Sequence, residues 1–289
     1  MNNDRAAMDA YLGKGIQRAA AESSILTSTS RWLNNSTVRE VVATWLLRKN
    51  GKDFPVEADH TLGLLQAVDQ VQPPEEVDAL MAEERTINPL FNAWLEEGFI
   101  SRYRNEDFEK YAPGTIGGII GRQVREFGFD LTLGVDLSKA QRPASDYAYW
   151  RLRSQQTHDF EHTVLGGQFN SIGEIVVIFG RLANHTAHFS PKLASALNAY
   201  LIFTGMRMVT RSLLHYPETL PKALECLEQG LKVGRESTPI WSYRFEDVFE
   251  LTPEQAQAKL GVKGAYEVDS EAASTIFREE TPALAAAAE

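Results

Sequence analysis

The prolines of this chain fall where helices begin. Pro74, Pro89, Pro191, Pro221, Pro239 and Pro253 each head a run whose apolar residues recur at three- and four-residue spacing. Proline suits a first helical turn because its ring presets φ and the amide it lacks would have no intrahelical partner there. Asn88, Ser190, Thr238 and Thr252 stand just before four of these prolines, and each can accept a hydrogen bond from a first-turn amide. Elsewhere Ser36 heads Val38, Val41, Val42, Trp45 and Leu46, stopped at Asn50-Gly51, and Ser145 heads a long run through Tyr147 and Trp150. Further helices are expected from about Asp59 to Val71, through Leu90 to Leu95 with a stop at Gly98, and into Gly128. No stretch sustains the alternation of a strand. The fold class is therefore mainly α, read as a single-domain multi-helix bundle with an apolar groove between helices. Residues 1–80 read as a helical extension packing on the core, 81–263 as the core domain, and 264–289 as a poorly ordered tail, charged and alanine-rich. The first thirty residues, with weak periodicity at Met8, Leu12 and Ile16, read as an arm or a frayed helix.

A chain of 289 residues can bury a full core. Its net charge of −10, without a basic stripe, argues against nucleic acid and against charge-driven binding to anionic headgroups. The single cysteine, Cys226, excludes an internal disulfide framework and reads as a buried helix position, which suits the cytoplasm. Met1-Asn2-Asn3-Asp4-Arg5 lacks the basic start and apolar run of a signal peptide. The most apolar stretches are interrupted by Glu174, Asn198 and Arg207, so no membrane span is expected. Peripheral contact through apolar helix faces is compatible with this composition.

Thr157-His158-Asp159-Phe160-Glu161-His162, followed by Glu174, carries the strongest chemical signal. On a helix His158 and His162 stand one above the other, and Asp159 lies three residues from His162. Glu174 comes from the next element, across a turn marked by Gly166-Gly167 and Asn170-Ser171. Two imidazoles with one or two carboxylates suit zinc or a non-haem iron-type centre with open positions. Two plainer readings stand beside this one. The histidine spacing can be fortuitous, and Ser171-Ile172-Gly173-Glu174 reads as a capping box in which Glu174 only satisfies a helix-start amide. The apolar run around Glu174 favours a ligand, because a buried carboxylate needs a partner.

The glycines of Gly114-Thr115-Ile116-Gly117-Gly118-Ile119-Ile120-Gly121 fit neither the dinucleotide fingerprint nor the P-loop. Gly114 with Gly118, and Gly117 with Gly121, instead form small-residue faces that another helix or a long apolar ligand can approach closely. Arg207 and Arg211 lie at i,i+4 in an apolar helix. They read either as structural partners of Asp159, Glu161 or Glu174, or as a clamp for an anionic substrate group. His185 and His188 read as helix-end residues rather than a second metal site, and His60 as a solvated or capping residue.

With those residues in place, the sequence resembles the ubiquinone (coenzyme Q) biosynthesis protein four family. The family signature, His-Asp-x-x-His, eleven residues, then Glu, stands here as His158-Asp159-Phe160-Glu161-His162 with Glu174. Ala112-Pro113-Gly114-Thr115-Ile116-Gly117 is similar to the family's Pro-x-Gly-Thr-Leu-Gly-like segment, with one residue of spacing lost. Gly173-Glu174-Ile175-Val176-Val177 looks like its Gly-Glu-hydrophobic stretch, Arg207 falls at a family arginine, and Glu246 falls at the glutamate of a Tyr-Glu pair. The resemblance covers about residues 81–262; Arg244-Phe245 before Glu246 and the acidic Glu161 inside the motif depart from it.

The resemblance implies a decarboxylase and hydroxylase of ubiquinone biosynthesis. It would replace the ring carboxylate of a polyprenylated hydroxybenzoate by hydroxyl, an oxidative decarboxylation. It implies a divalent metal, zinc or an iron-like ion, held by His158, His162 and Glu174, with Asp159 as a further ligand or as the catalytic group orienting a histidine. Arg207 would hold the substrate carboxylate, and Gly117, Gly121 and Glu246 would contact substrate. With zinc, electrons for dioxygen must come from the electron-rich ring, a restriction an iron-like metal removes. The implied partners are the isoprenoid lipid, a membrane surface met peripherally from the cytoplasm, and other ubiquinone biosynthesis enzymes; a homodimer is allowed. Two rivals remain. One is a non-catalytic polyprenyl-lipid-binding scaffold, recognisable by a closed four-ligand site. The other is a metal-dependent phosphohydrolase, which needs further His and Asp ligands from separate helices.

Overall fold

The computed structural model describes residues 28–49, 58–132, 137 and 140–279. Met8, Leu12, Ile16, the Asn50-Gly51 stop and the His60 side chain lie outside them. Among the described residues the α-helices are α1 (Arg31–Asn34), α2 (Ser36–Leu47), α3 (Ala58–Val71), α4 (Pro74–Ile87), α5 (Pro89–Glu97) and α6 (Ile116–Phe127). They continue as α7 (Asp146–Leu165), α8 (Glu174–His188), α9 (Pro191–His215), α10 (Leu220–Glu236), α11 (Pro253–Leu260) and α12 (Glu271–Glu279). The described residues contain no strand, only an isolated parallel bridge between Gly167 and Val268. No described helix is long and apolar enough to cross a membrane.

Caps and prolines mark many of the boundaries, although Ser190 makes no side-chain cap bond at the start of α9. Pro74, Pro89, Pro191 and Pro253 are first residues of their helices and Pro221 is the second of α10. Asn88 accepts from the Phe91 amide, Ser145 from that of Ala148, and Thr252 forms a reciprocal box with Gln255. α2 is capped by Asn35 rather than Ser36, through the Val38 amide. The helix expected after Thr238-Pro239 is instead two 3₁₀ turns, Ile240–Ser242 and Phe245–Asp247. Trp241 enters one aromatic cluster with Phe91, Trp94 and Phe189, while Phe245 enters another around Phe160 and Phe249. One helix face cannot serve both.

The core is built on the layer α7–α10. Glycines bring these helices close: Gly234 lies against the Gly180 carbonyl and Gly230 against that of Val176, while Gly205 receives the side chains of Ile178 and Phe179. α4 packs on α5, α7 and α9, so the boundary expected near residue 80 runs through a helix joined to the core. α2 and α3 add Trp45, Leu64 and Val68 against Ala199, Tyr200 and Phe203 of α9. An open groove of about 820 Å³ runs beside them, lined by Trp32, Leu80, Leu182, Ala199, Ile202 and Phe203.

Two expectations are corrected. The face of Gly117 and Gly121 is not open to a ligand, because the Tyr111 ring covers Gly117 and the Phe108 carbonyl covers Gly121. The Ala112 carbonyl likewise fills the space over Gly118. These glycines let α6 sit on the segment just before it. Nor are residues 265–279 a loose tail: Val268 and Phe277 are buried in the main core, and 271–279 is helical, while 280–289 lie outside the described residues. Burial of these two apolar side chains, one in the bridge ahead of the helix and one on the helix, outweighs the polar composition that suggested disorder.

Candidate metal centre

The motif occupies the last turns of α7. Gly166 ends that helix with φ +89°, a conformation that favours glycine, and the Tyr266 carbonyl leaves no room for a Cβ there. The returning turn is pinned from outside the motif. The Val268 amide donates to the Gly166 carbonyl at 3.0 Å, and the Ile172 amide to Ser274 Oγ at 3.1 Å. α8 then starts at Glu174, whose amide donates to the Asn170 carbonyl. The cap position is Gly173, not Ser171, and no side-chain cap bond is made there.

The Glu174 side chain goes to the histidines. His158 Nε2 lies 2.8 Å from Glu174 Oε1 and His162 Nε2 lies 2.9 Å from Glu174 Oε2. One ligand atom from each of the three residues falls within 4.8 Å of the others. The capping-box reading of Glu174 is thereby set aside. Asp159 does not join the convergence: its Oδ1 sits 3.1 Å from His158 Nδ1, on the far side of the ring. It orients the imidazole.

The far nitrogen of His162 fixes the tautomer. Nδ1 is 3.0 Å from the Gly167 carbonyl, which can only accept, so Nδ1 carries a proton. In a neutral imidazole Nε2 then presents a lone pair to a carboxylate oxygen 2.9 Å away. Two lone pairs at that distance require a positive charge between them, a proton or a cation. Electrostatics around the site agree. Burial alone would lower the His158 imidazole, but the charge of Glu174 and the hydrogen bonds of Asp159 and Glu174 outweigh it, lifting it to about 10. Burial alone would raise the Glu174 carboxyl, and the two histidines hold it well below the usual carboxylate range. Two imidazole nitrogens and one carboxylate, with both far nitrogens oriented, fit a divalent cation with positions left open.

Glu161, the acidic departure inside the motif, points away from this centre. It is 1% exposed, accepts from Thr157 Oγ1 at 2.8 Å and is bridged twice by Arg181, at 2.6 and 2.8 Å. Arg181 follows Glu174 by two turns on the same face of α8, a spacing that could have announced it. It ties α7 to α8 behind the histidines, also donating to the Ser154 carbonyl.

Arg207 makes no ion pair with Asp159, Glu161 or Glu174; its guanidinium lies 4.5 Å from the centre of the Trp45 ring. Burial lowers its pKa, and the charge of Glu174 opposes that shift. Arg211 donates to the Trp45 carbonyl at 2.9 Å, a structural role. Both carboxylate oxygens of Glu246 are enclosed and find no hydrogen-bond partner among the described residues. Burial, then Glu246 and Asp159, push up the Tyr103 hydroxyl, which donates to the Gln156 carbonyl at 2.7 Å. Tyr103 therefore lies within the electrostatic reach of both carboxylates. His185 Nδ1 meets Asn198 and His188 Nε2 meets the Ser237 carbonyl, and among the described residues neither stands in a cluster of three potential metal ligands. Among the described residues the extra donors of a phosphohydrolase are not assembled.

No family model matches this sequence, and no curated protein matches it. A solved structure does: the crystal structure of a protein from Nostoc punctiforme, provisionally named a ubiquinone biosynthesis protein, at 20% identity and a TM-score of 0.55. The match covers 80% of this chain and 99% of that one, and at this identity it establishes a shared helical fold.

Proposed function

We propose that this chain is a metal-dependent enzyme of ubiquinone biosynthesis that replaces the ring carboxylate of a polyprenylated hydroxybenzoate by hydroxyl. The observation that carries the reading is the carboxylate of Glu174 facing two imidazole nitrogens whose opposite nitrogens are already engaged. The name of the structural neighbour and the motif's resemblance support the pathway.

His158, His162 and Glu174 would hold the cation, Asp159 would keep the His158 ring in place, and the Gly167 carbonyl would do so for His162. When bound, the metal supplies a Lewis acid for a carboxylate or ring oxygen of the substrate. Arg207 would take the other edge of the carboxylate. A tail in the groove lined by Ala199 and Phe203 would have its ring end directed towards Arg207, the next residue at i,i+4 spacing on α9. Exchange of carboxylate for hydroxyl withdraws two electrons from the substrate. With dioxygen as acceptor the balance is acid, dioxygen and water giving phenol, carbon dioxide and hydrogen peroxide.

The test is metal analysis and turnover of a prenylated hydroxybenzoate under oxygen, comparing the wild type with His158→Ala. Carbon dioxide release is expected from the metal-loaded wild type and a fall of at least about a hundredfold from the variant, with its helical content unchanged. Undiminished turnover in the variant would overturn the assignment.

A further inference from the structure

α8 and α9 form an antiparallel hairpin whose register is fixed by contacts along its length. Asn198 donates to the Leu182 carbonyl at 3.1 Å, and Gly205 lies against Ile178 and Phe179. Continued in the same direction, that register brings Arg207 level with Glu174. Arg207 therefore stands at the end of the seam where the cation ligand sits. Its Nε is enclosed and has no hydrogen-bond partner among the described residues, and no carboxylate there pairs with it.

What holds this arginine is an aromatic plate. The Trp45 ring, 1% exposed, lies 4.5 Å beneath the guanidinium, and its own backbone is fixed by Arg211. A guanidinium lying over an aromatic ring is held through its charge and face, and its N–H groups can still donate in their own plane. Those groups match a carboxylate through two parallel hydrogen bonds. A lysine on the same ring offers a point charge without that fork.

We propose that Trp45 is a positioning residue, α2 supplying the plate that holds the Arg207 fork at the Glu174 end of the seam for an aromatic carboxylate. The inference rests on the proposed function for the ligand's class. It extends the site to a helix that the motif resemblance does not cover.

The test is calorimetric titration of 4-hydroxybenzoate, and of 4-hydroxybenzyl alcohol as a probe without carboxylate, into the zinc-loaded full chain. Trp45→Leu is expected to weaken binding of the acid by about tenfold, and Trp45→Phe by no more than about threefold, because phenylalanine keeps an aromatic face. Neither should alter zinc affinity or binding of the alcohol. Arg207→Lys should weaken the acid as Trp45→Leu does, and the double variant should add little further loss. Should Trp45→Leu unfold, Trp45→Phe decides: its loss of acid affinity should vanish in an Arg207→Lys background, and a loss that persists there would overturn the proposal. Equal weakening of acid and alcohol, or additive losses in the double variant, would overturn the proposal. Carboxylate binding that follows the expected pattern in a protein without turnover would overturn the reaction alone. A wild type that binds no acid would overturn both.

Discussion

Two histidines on neighbouring helices are driven in opposite directions by their surroundings. His158 faces Asp159 and Glu174 and is lifted to about 10, whereas burial, with Arg181 adding to it against the Asn198 hydrogen bond, holds His185 down at about 3. An imidazole depressed in the folded state and ordinary in the unfolded chain makes stability depend on pH. Its contribution is fully present above about pH 6.5 and is lost as pH falls toward 3, because only the unfolded chain takes up the proton. Between about pH 8 and pH 5 the expected loss is roughly 2 kcal/mol, and His185→Gln should remove that part of the acid sensitivity in urea unfolding. An unchanged pH dependence would show that the ring is already solvated. Neither environment could be read from the sequence, in which both residues are simply histidines in helices. The triad was legible because helical spacing alone stacks His158 and His162. Asp159 was legible as a partner of the site but not as a non-ligand, since its direction depends on rotamer rather than spacing. Arg181 and the turn supports Val268 and Ser274 were not legible as neighbours of the triad, because each reaches it through tertiary contact.

Helices were the most legible elements, because cap and proline chemistry acts within one turn of the boundary. The failures lay where long-range burial decided the outcome: the split of 239–247 into 3₁₀ turns, and the docking of 271–279. The glycine stripe was misassigned for a related reason. Small residues announce that something approaches closely but not what does so, and α6 is approached by its own preceding segment. The stripe that does bring two helices together, Gly230 and Gly234 against Gly180, lay in a run read only as another amphipathic helix. A Cβ at Gly234 would overlap the Gly180 carbonyl and press on Ala183 at 2.9 Å, so α8 and α10 would have to separate. Gly234→Ala is therefore expected to cost about 3 kcal/mol in urea unfolding, at the upper end for overpacking. Gly63→Ala in α3 meets nothing within 4 Å and should instead stabilise by up to about 1 kcal/mol through helix propensity. Equal effects at the two positions would refute close packing of the α8–α10 seam.

The last described segment of the chain closes the molecule by bracing the turn between α7 and α8. Val268 bridges Gly166 and Gly167, Ser270 donates to Gln168 Oε1 at 2.8 Å, and Ser274 accepts from the Ile172 amide while donating to Asn170 at 2.6 Å. That turn supplies the carbonyl that fixes His162 and leads directly into Glu174. Stability and cation binding should therefore fail together when the segment is removed. Truncation after Lys263 exposes the sites of Val268 and Phe277, 1% and 3% exposed in the intact chain, at an expected cost of about 4 kcal/mol. Zinc affinity should fall by about tenfold or more, the usual effect of loosening a group that orients a metal-binding histidine. Ser274→Ala keeps the length and most of the apolar burial but strands the buried Ile172 amide, at about 2 kcal/mol. If the brace matters to the site, this single variant should also lower zinc affinity in a chelator competition, at temperatures where it remains fully folded. Zinc binding at wild-type strength in both variants would mean that the turn holds His162 and Glu174 without help from the chain's other end.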